Sequence, residues 1–167
     1  MFLRKGLLDG KSVAISGSVA PALRDELVAL GAVIAPPGEN VDALVHDAGE
    51  ALTADGLSVA LEQAWSSISE VAAGQLIPAG RAGKVVLIAP RPDVGDHASA
   101  ARDALENLAR TLSIEWARYG ITAVAIAPAS ATTDQELATL VSFLLSRAGD
   151  YFSGCRLELG SVDDGRP

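Results

Sequence analysis

The sequence predicts an α/β fold with a mostly parallel sheet of about six strands, and three observations support this prediction. Short apolar runs alternate with segments of helical periodicity, a pattern typical of strand–helix–strand units with right-handed crossovers. Several strand-like runs are apolar throughout, as expected of strands covered on both faces. The chain has 167 residues, 49% of them hydrophobic, and no repeat or linker divides it. We therefore predict a single domain over residues 1–167.

The first half of the chain predicts three strands and two helices. The strands are the β-rich or apolar runs at residues 12–16, 32–36 and 42–49. The first helix lies in "APALRDELVALGA", where Pro21 suits a first helical turn and Gly31 a C-terminal stop. The second helix is an Ala-rich segment over residues 57–76. One of its faces carries Leu61, Trp65, Ile68 and Val71.

The second half predicts three more strands, each separated from the next by a helix. The strands are the runs at residues 84–90, 121–128 and 155–160. A helix over residues 99–119, with Asp96 as its expected N-cap, follows the first of these strands. This helix has an apolar stripe of Leu105, Leu108, Leu112 and Trp116 at three- and four-residue steps. The last helix is predicted over residues 134–148.

Composition argues against several classes of function. The net charge of -8 and the lack of a basic run argue against nucleic-acid binding, which needs clustered Lys and Arg. Cys155 is the single cysteine, so we expect neither a disulfide nor a thiolate metal cluster, and the two histidines show no metal-ligand spacing. We expect no signal peptide and, without a run of roughly 18 apolar residues, no membrane span. The expected location is the cytoplasm.

Four stretches of the chain resemble the short-chain dehydrogenase/reductase family in the family's own order. They are "LLDGKSVAISGS", "NVDALVHDAG", "HASAARDALENLARTLSIEWARYGITAVAIAP" and "VSFLLSRAGDYFSGCRLELG". The second is similar to the family's D-x-L-V-N-N-A-G element, and the third to its active-site helix and the strand that follows. The resemblance implies a Rossmann-like, doubly wound sheet flanked by helices. It also implies that this chain is a shortened member of the family.

The cofactor loop departs from the family's pattern. The family has T-G-x-x-x-G-x-G, whose glycines let the backbone approach the cofactor pyrophosphate. Here Ser16, Gly17 and Ser18 begin the matching stretch "SGSVAPAL", but Pro21 and Leu23 replace the other two glycines. An altered cofactor loop and an ordinary strand-to-helix turn are both compatible with this sequence, and the second interpretation is favoured. We therefore expect no cofactor.

The adenine side of the family's cofactor site also lacks its counterparts. The chain passes from Pro36 almost directly to the "VHDAG" element, whereas the family has a helix, a strand and a second helix between them. Glu39 is a distant candidate for reading a ribose. The resemblance therefore implies that half of the cofactor cradle is deleted.

The resemblance also implies that the catalytic positions are vacated. Ala98 stands where the family has its Tyr, Arg102 where it has its Lys, and Ala89 or Pro90 where it has its Ser. Alanine cannot transfer a proton, and an arginine side chain keeps its proton at all physiological pH values. No Asn occurs near Gln63, where the family's helix has one. The mobile lid that the family inserts after "APASATT" is also missing.

The segments by which family members assemble have counterparts in this chain. They are residues 57–76, 99–119 and 135–160, and we predict an interface that includes Trp65, Leu105, Leu108, Leu112 and Trp116. Either tryptophan also suits a core position. We thus hypothesise a non-catalytic subunit that supports an active homologous dehydrogenase or ketoreductase, with hydroxyacyl or ketoacyl thioesters as one substrate class. The alternatives are a divergent NAD(P)-dependent oxidoreductase and a homodimeric small-ligand-binding module with Arg102 as an anion anchor.

Overall fold

A computed structural model of the chain describes residues 3–36, 38–49, 56–80 and 82–160. Six strands form one sheet in the order β2-β1-β3-β4-β5-β6, and every pair of neighbours is parallel. The strands are β1 (Ser12–Gly17), β2 (Val33–Ile34), β3 (Ala43–Asp47), β4 (Gly83–Ile88), β5 (Ile121–Pro128) and β6 (Cys155–Leu159). The predicted α/β class with a mostly parallel sheet is confirmed.

Helices cover both faces of the sheet, as in a doubly wound fold. They are α1 (Pro21–Ala29), α2 (Leu57–Val71), α3 (Ala98–Glu115) and α4 (Asp134–Leu145). On one face, α1 and α4 pack against each other and bury Leu27 and Val141 with the odd-numbered residues of β1 and β3. On the other face, α2 and α3 bury Ile68 and Leu105 against Leu44 and the neighbouring strands. The Rossmann-like architecture predicted from the sequence is therefore present.

The ends of several elements differ from the sequence-based prediction. The strand predicted over residues 32–36 is only Val33–Ile34, because this edge strand has a single neighbour, β1. The helix predicted over residues 57–76 is α-helical to Val71 and ends in a π-helical turn, Ala72–Leu76. Strand β5 has the predicted bounds, since its apolar run begins directly after the left-handed Gly120.

The start of α3 also differs from the prediction. The residue at the N-cap is His97 rather than Asp96, and no side chain caps this helix by a hydrogen bond. The helix begins at Ala98, one residue earlier than predicted, and its last turn continues as a 3-10 helix, Ala117–Tyr119. By contrast, α4 begins with a reciprocal capping box between Thr133 and Glu136, which fixes its first residue.

Candidate functional site

The carboxyl ends of the parallel strands meet at one edge of the sheet, where ligands bind in open α/β folds. The register pairs Ser16 with His46 and Gly17 with Asp47 across β1 and β3, and Asp47 with Ile88 across β3 and β4. The loop "SGS" and the end of β4, where Ala89 follows, therefore lie along the same edge. The side chains at this edge therefore determine what the chain can bind or catalyse.

Gly17 is required by the contact between two strands. Its φ is +77°, and a Cβ atom added to it would lie 1.9 Å from the backbone oxygen of Asp47. No side chain fits in that space. The fold therefore requires glycine at this position whether or not a phosphate binds to the loop. After it, Ser18 is exposed, and Pro21 begins α1 without a backbone N–H. These features favour the interpretation of the loop as an ordinary strand-to-helix turn.

His46 is a buried polar residue of this edge. Its side chain is directed to the α2 face of the sheet, because Leu44, two residues earlier on β3, packs on that face. Its Nδ1 lies 2.8 Å from the Oγ of its cross-strand partner Ser16. Its Nε2 is buried and has no hydrogen-bond partner in the part of the chain that the structure describes. Burial lowers the pKa of His46 from 6.5 to about 4, so the ring is neutral at pH 7.

The buried His46 should make folding stability depend on pH between about 6.5 and 4. In that range the unfolded chain binds a proton at this ring and the folded chain does not, so stability falls as the pH falls. The full shift corresponds to a loss of up to about 3 kcal/mol. We expect urea unfolding of the His46→Asn variant to lose this part of the pH dependence. The exposed His97 supplies the control, because His97→Gln should keep the wild-type slope; an unchanged slope in His46→Asn would contradict the assignment.

The resemblance places Ala98 and Ala89 at catalytic positions of the family. Ala98 and Ala89 are both buried. Ala98 packs with Ala60 of α2 and Ala101 of α3, where small side chains let the two helices approach closely. Neither residue can donate or accept a proton through its side chain.

The guanidinium of Arg102 contacts other residues of the same chain. Its side chain is 13% exposed, and Nη1 donates hydrogen bonds to the backbone oxygens of Pro90 and Pro128 at 2.8 and 2.7 Å. Its Nη2 lies 3.2 Å from Oε2 of Glu158 on β6. The guanidinium thus joins the ends of β4, β5 and β6. Because a carboxylate already neutralises it, the structure does not favour the use of Arg102 as an anion anchor.

Arg91 has a similar role that the sequence did not reveal. Its Nη1 donates to the backbone oxygens of Ala129 and Thr132, and its Nη2 lies 3.0 Å from Asp134 at the start of α4. The available signal was its position directly after the apolar run of β4, where the strand ends converge. Together, Arg91 and Arg102 satisfy carbonyl groups at the carboxyl edge of the sheet.

The predicted contact stripe of α3 divides into core and surface residues. Leu105 and Leu112 are buried in this chain, where they pack with the sheet, so their assignment to a contact surface is corrected to the core. Leu108 and Trp116 are only partly buried. Among the large apolar side chains of α2 and α3, the more exposed ones are Trp65 and Ile114, at 50% and 75% exposure. Ile114 was not predicted, because it lies off the three- and four-residue periodicity.

The residues that the structure describes contain no group of three or more His, Cys, Asp or Glu side chains placed to hold a metal ion. None of the helices that they form is both long and apolar enough to cross a membrane.

Comparisons with known proteins agree with this architecture. No protein-family model matches the chain. A curated relative, the uncharacterized oxidoreductase YohF of Escherichia coli, is 26% identical over 156 residues. The alignment includes 68% of this chain and 61% of that relative, so the chain spans less than two thirds of the relative's length.

Solved structures share the fold across nearly the whole chain. The citronellol catabolism dehydrogenase AtuB of Pseudomonas aeruginosa matches with a TM-score of 0.75 at 20% identity, over 96% of this chain and 97% of that chain. A short-chain dehydrogenase/reductase of Serratia marcescens matches with a TM-score of 0.71 at 18% identity, over 92% and 97%. The chain has the Rossmann-like fold of the short-chain dehydrogenase/reductases.

The described residues do not fit the nicotinamide dinucleotide that this fold implies. Gly17 remains in the loop, but its tight contact is with the backbone of Asp47 on β3. Pro21 offers no N–H at the start of α1, and Glu39 is exposed. A cofactor phosphate near this loop would meet Pro21 and Leu23 in place of two glycines, and it would find no N–H at Pro21.

Proposed function

We propose that this chain is a degenerate, non-catalytic member of the short-chain dehydrogenase/reductase family that supports an active homologous dehydrogenase or ketoreductase in a hetero-oligomer. The observation that carries the proposal is which side chains occupy the positions of the family's catalytic residues and what they contact. Ala89 and Ala98 are buried, and Arg102 is bound to two backbone carbonyls and to Glu158. A site closed in this way has no group that transfers a proton, while the fold itself is intact.

The exposed apolar side chains support a role in assembly. Trp65 and Ile114 lie on the two helices of the same face, and Val33 on the edge strand β2 is 61% exposed. Scattered apolar residues are normal on surfaces, but a half-exposed tryptophan is a typical anchor of protein interfaces. We propose that a partner subunit covers these side chains. The class of its substrate, such as hydroxyacyl or ketoacyl thioesters, belongs to that partner.

Co-purification from the native host tests the proposal directly. We expect the tagged chain to recover a short-chain dehydrogenase with an intact Tyr and Lys pair, identified by mass spectrometry and retained at high salt. Recovery of a homo-oligomer alone would contradict the hetero-oligomer and would favour the homodimeric alternative. A titration of the isolated chain with NADH and NADPH tests the other alternative, a divergent oxidoreductase. Micromolar binding would favour that alternative over a non-catalytic subunit.

Trp65 provides a prediction about the interface. The Trp65→Ala variant should bind the recovered partner more weakly by about 2 kcal/mol, the loss typical of a central aromatic anchor. Its own urea unfolding should lose about 2 kcal/mol, since half of the large apolar side chain is buried, and the variant should still be folded for the binding measurement. Affinity is measured by calorimetry, with Glu70→Ala, an exposed change on the same helix, as the control. Equal affinities of all three proteins would remove Trp65 from the interface.

A further inference from the structure

An open groove lies between α1 and α4, on the opposite face of the sheet from α2 and α3. Its volume is about 870 Å³. Ala29 and Leu30 line it at the end of α1, and Leu140 and Phe143 line it on α4. The exposed side chains that the proposed assembly uses do not line this groove. What occupies the groove is therefore a question separate from that assembly.

Apolar side chains that still reach solvent form much of the groove. Leu3, Leu140, Phe143 and Leu159 all line it, and each is only partly buried against the core beneath. A molecule in the groove would remove the rest of this apolar surface from water, which is favourable. Sites for small ligands are concave, mostly apolar and about 300–1,000 Å³ in volume. The groove thus has the lining and the size of a site for a small apolar molecule.

The wall formed by α4 gives the groove its length. Gln135 in the first turn of this helix and Phe143 near its end both line the groove. At a rise of about 1.5 Å per residue, the two positions are roughly 12 Å apart along the helix axis. An alkyl chain of medium length can lie along such a wall and contact apolar side chains over its whole extent.

The polar side chains of the groove leave acceptors for a ligand. Glu26 accepts the Nε2–H of Gln135 at 3.1 Å through its Oε2. The Oε2 of Glu136 accepts the N–H and the hydroxyl of Thr133, both at 2.8 Å. The hydroxyl of Thr139 donates to the backbone oxygen of Gln135. A carboxylate has about four acceptor positions, so Glu26 and Glu136 both have room for a further donor.

The charges of the lining select the head group of the ligand. Glu26 and Glu136 contribute two carboxylates against the single ammonium of Lys5. The chain as a whole has a net charge of -8. A cationic head group is attracted by such a field and an anionic one is repelled. A hydroxyl head could donate a hydrogen bond to Glu26, but it would gain nothing from the charge.

We propose that this groove binds an amphipathic cation, an alkyl chain of medium length with a protonated amine at one end. The chain packs against Leu140, Phe143 and Leu159, and the ammonium group donates to the carboxylate of Glu26 beside the charge of Glu136. Burial of the chain supplies most of the affinity, while the carboxylates select the head group. The site involves neither the vacated catalytic positions nor a partner subunit.

Calorimetric titration of the isolated chain with octyl compounds tests the ligand class. Octylammonium, 1-octanol and octanoate share one chain and differ in the charge of the head, and all are used below the concentrations at which they form micelles. Octylammonium should bind saturably at one site, octanol more weakly and octanoate most weakly. Hexylammonium should bind about tenfold more weakly than octylammonium, because two methylene groups fewer are buried. Tightest binding of octanoate, or equal binding of the two amines, would overturn the proposal.

Two charge substitutions should change the affinity for octylammonium in opposite directions. Glu26→Gln keeps the shape and the hydrogen-bonding groups of the side chain but removes its charge, and it should weaken binding up to about fivefold. Lys5→Met removes the cation of the lining and should strengthen binding by a similar factor. Unchanged affinity in both variants would show that the head group does not meet these charges and would contradict the assignment.

Two phenylalanine variants on α1 locate the binding. Ala29→Phe fills the groove from the exposed end of this helix and should abolish the binding of octylammonium. Val28→Phe places the same side chain on the neighbouring position, which is also exposed but does not line the groove, and it should leave the affinity unchanged. Circular dichroism checks that both variants are folded. Binding that survives Ala29→Phe would contradict this site.

A second copy of the chain is the competing occupant, because residues 135–160 include one wall of the groove. Sedimentation of the isolated chain distinguishes the two, and the chain should have the same mass with and without octylammonium. A dimer that Ala29→Phe dissociates would assign the groove to a second copy and would overturn the proposal. Since all of these measurements use the isolated chain, their failure leaves the hetero-oligomer standing, and failure to recover a partner leaves this site standing.

Discussion

Replacement of Arg102 by methionine is expected to lower the free energy of unfolding by about 4 kcal/mol. Methionine keeps much of the side-chain length but has no donor. The backbone oxygens of Pro90 and Pro128, which now accept hydrogen bonds of 2.8 and 2.7 Å, would then lose a charged donor. The contact with Glu158 adds little, since that carboxylate is largely exposed and surface ion pairs contribute at most about 1 kcal/mol.

Arg110 on the same helix supplies the matched control for this prediction. It pairs with Glu106 four residues away, and its side chain is mostly exposed. Arg110→Met should therefore change stability by less than about 0.5 kcal/mol. Urea unfolding of both variants, followed by circular dichroism, makes the comparison. Equal effects of the two substitutions would show that Arg102 does not join the strand ends.

The comparison of Arg102→Met with Arg110→Met also tests why position 102 has a basic residue. In the family that the sequence resembles, the corresponding Lys has a catalytic role. If the loss of Arg102 destabilises the fold as expected, the charge has a structural role in this chain. Stability and not chemistry would then be the reason for a cation near the start of α3.

Much of the fold followed from local sequence signals. The run "ITAVAIAP" predicted β5 with its observed bounds, because a continuous apolar segment after a glycine has few alternatives in an α/β chain. The short strand β2 was overestimated, since its length depends on pairing with β1 and not on its own residues. Element type was thus predictable from local pattern, whereas the ends of an edge strand depend on tertiary contacts.

The candidate site was less predictable, for a physical reason. The resemblance implied that Ala98 and Arg102 stand at catalytic positions of the family, and it left open what Arg102 contacts instead. Whether Arg102 faces a cleft or a set of carbonyls depends on where β4, β5 and β6 end in space. The contact of His46 Nδ1 with Ser16 likewise follows from the register of β1 with β3. Neither feature has a signal within a short window of sequence.

Gly17→Ala is the second substitution with a large expected effect, a loss of about 4–5 kcal/mol of stability or failure to fold. Two contributions add at this position. A φ of +77° costs a residue with a Cβ roughly 1–2 kcal/mol. The larger part comes from the 1.9 Å approach to the Asp47 oxygen, because relief of that clash requires β1 and β3 to separate where they pair.

Gly10→Ala separates the cost of the positive φ from the cost of the clash between strands. Gly10 has nearly the same φ, +74°, but no atom lies within 4 Å of the Cβ that alanine would add. We expect it to lose only about 1 kcal/mol in urea unfolding. A large excess loss in Gly17→Ala would show that strand contact alone requires this glycine. Similar losses in the two variants would show that the contact with Asp47 contributes little. They would favour a role of Gly17 in a phosphate-binding loop and would count against a chain without a cofactor.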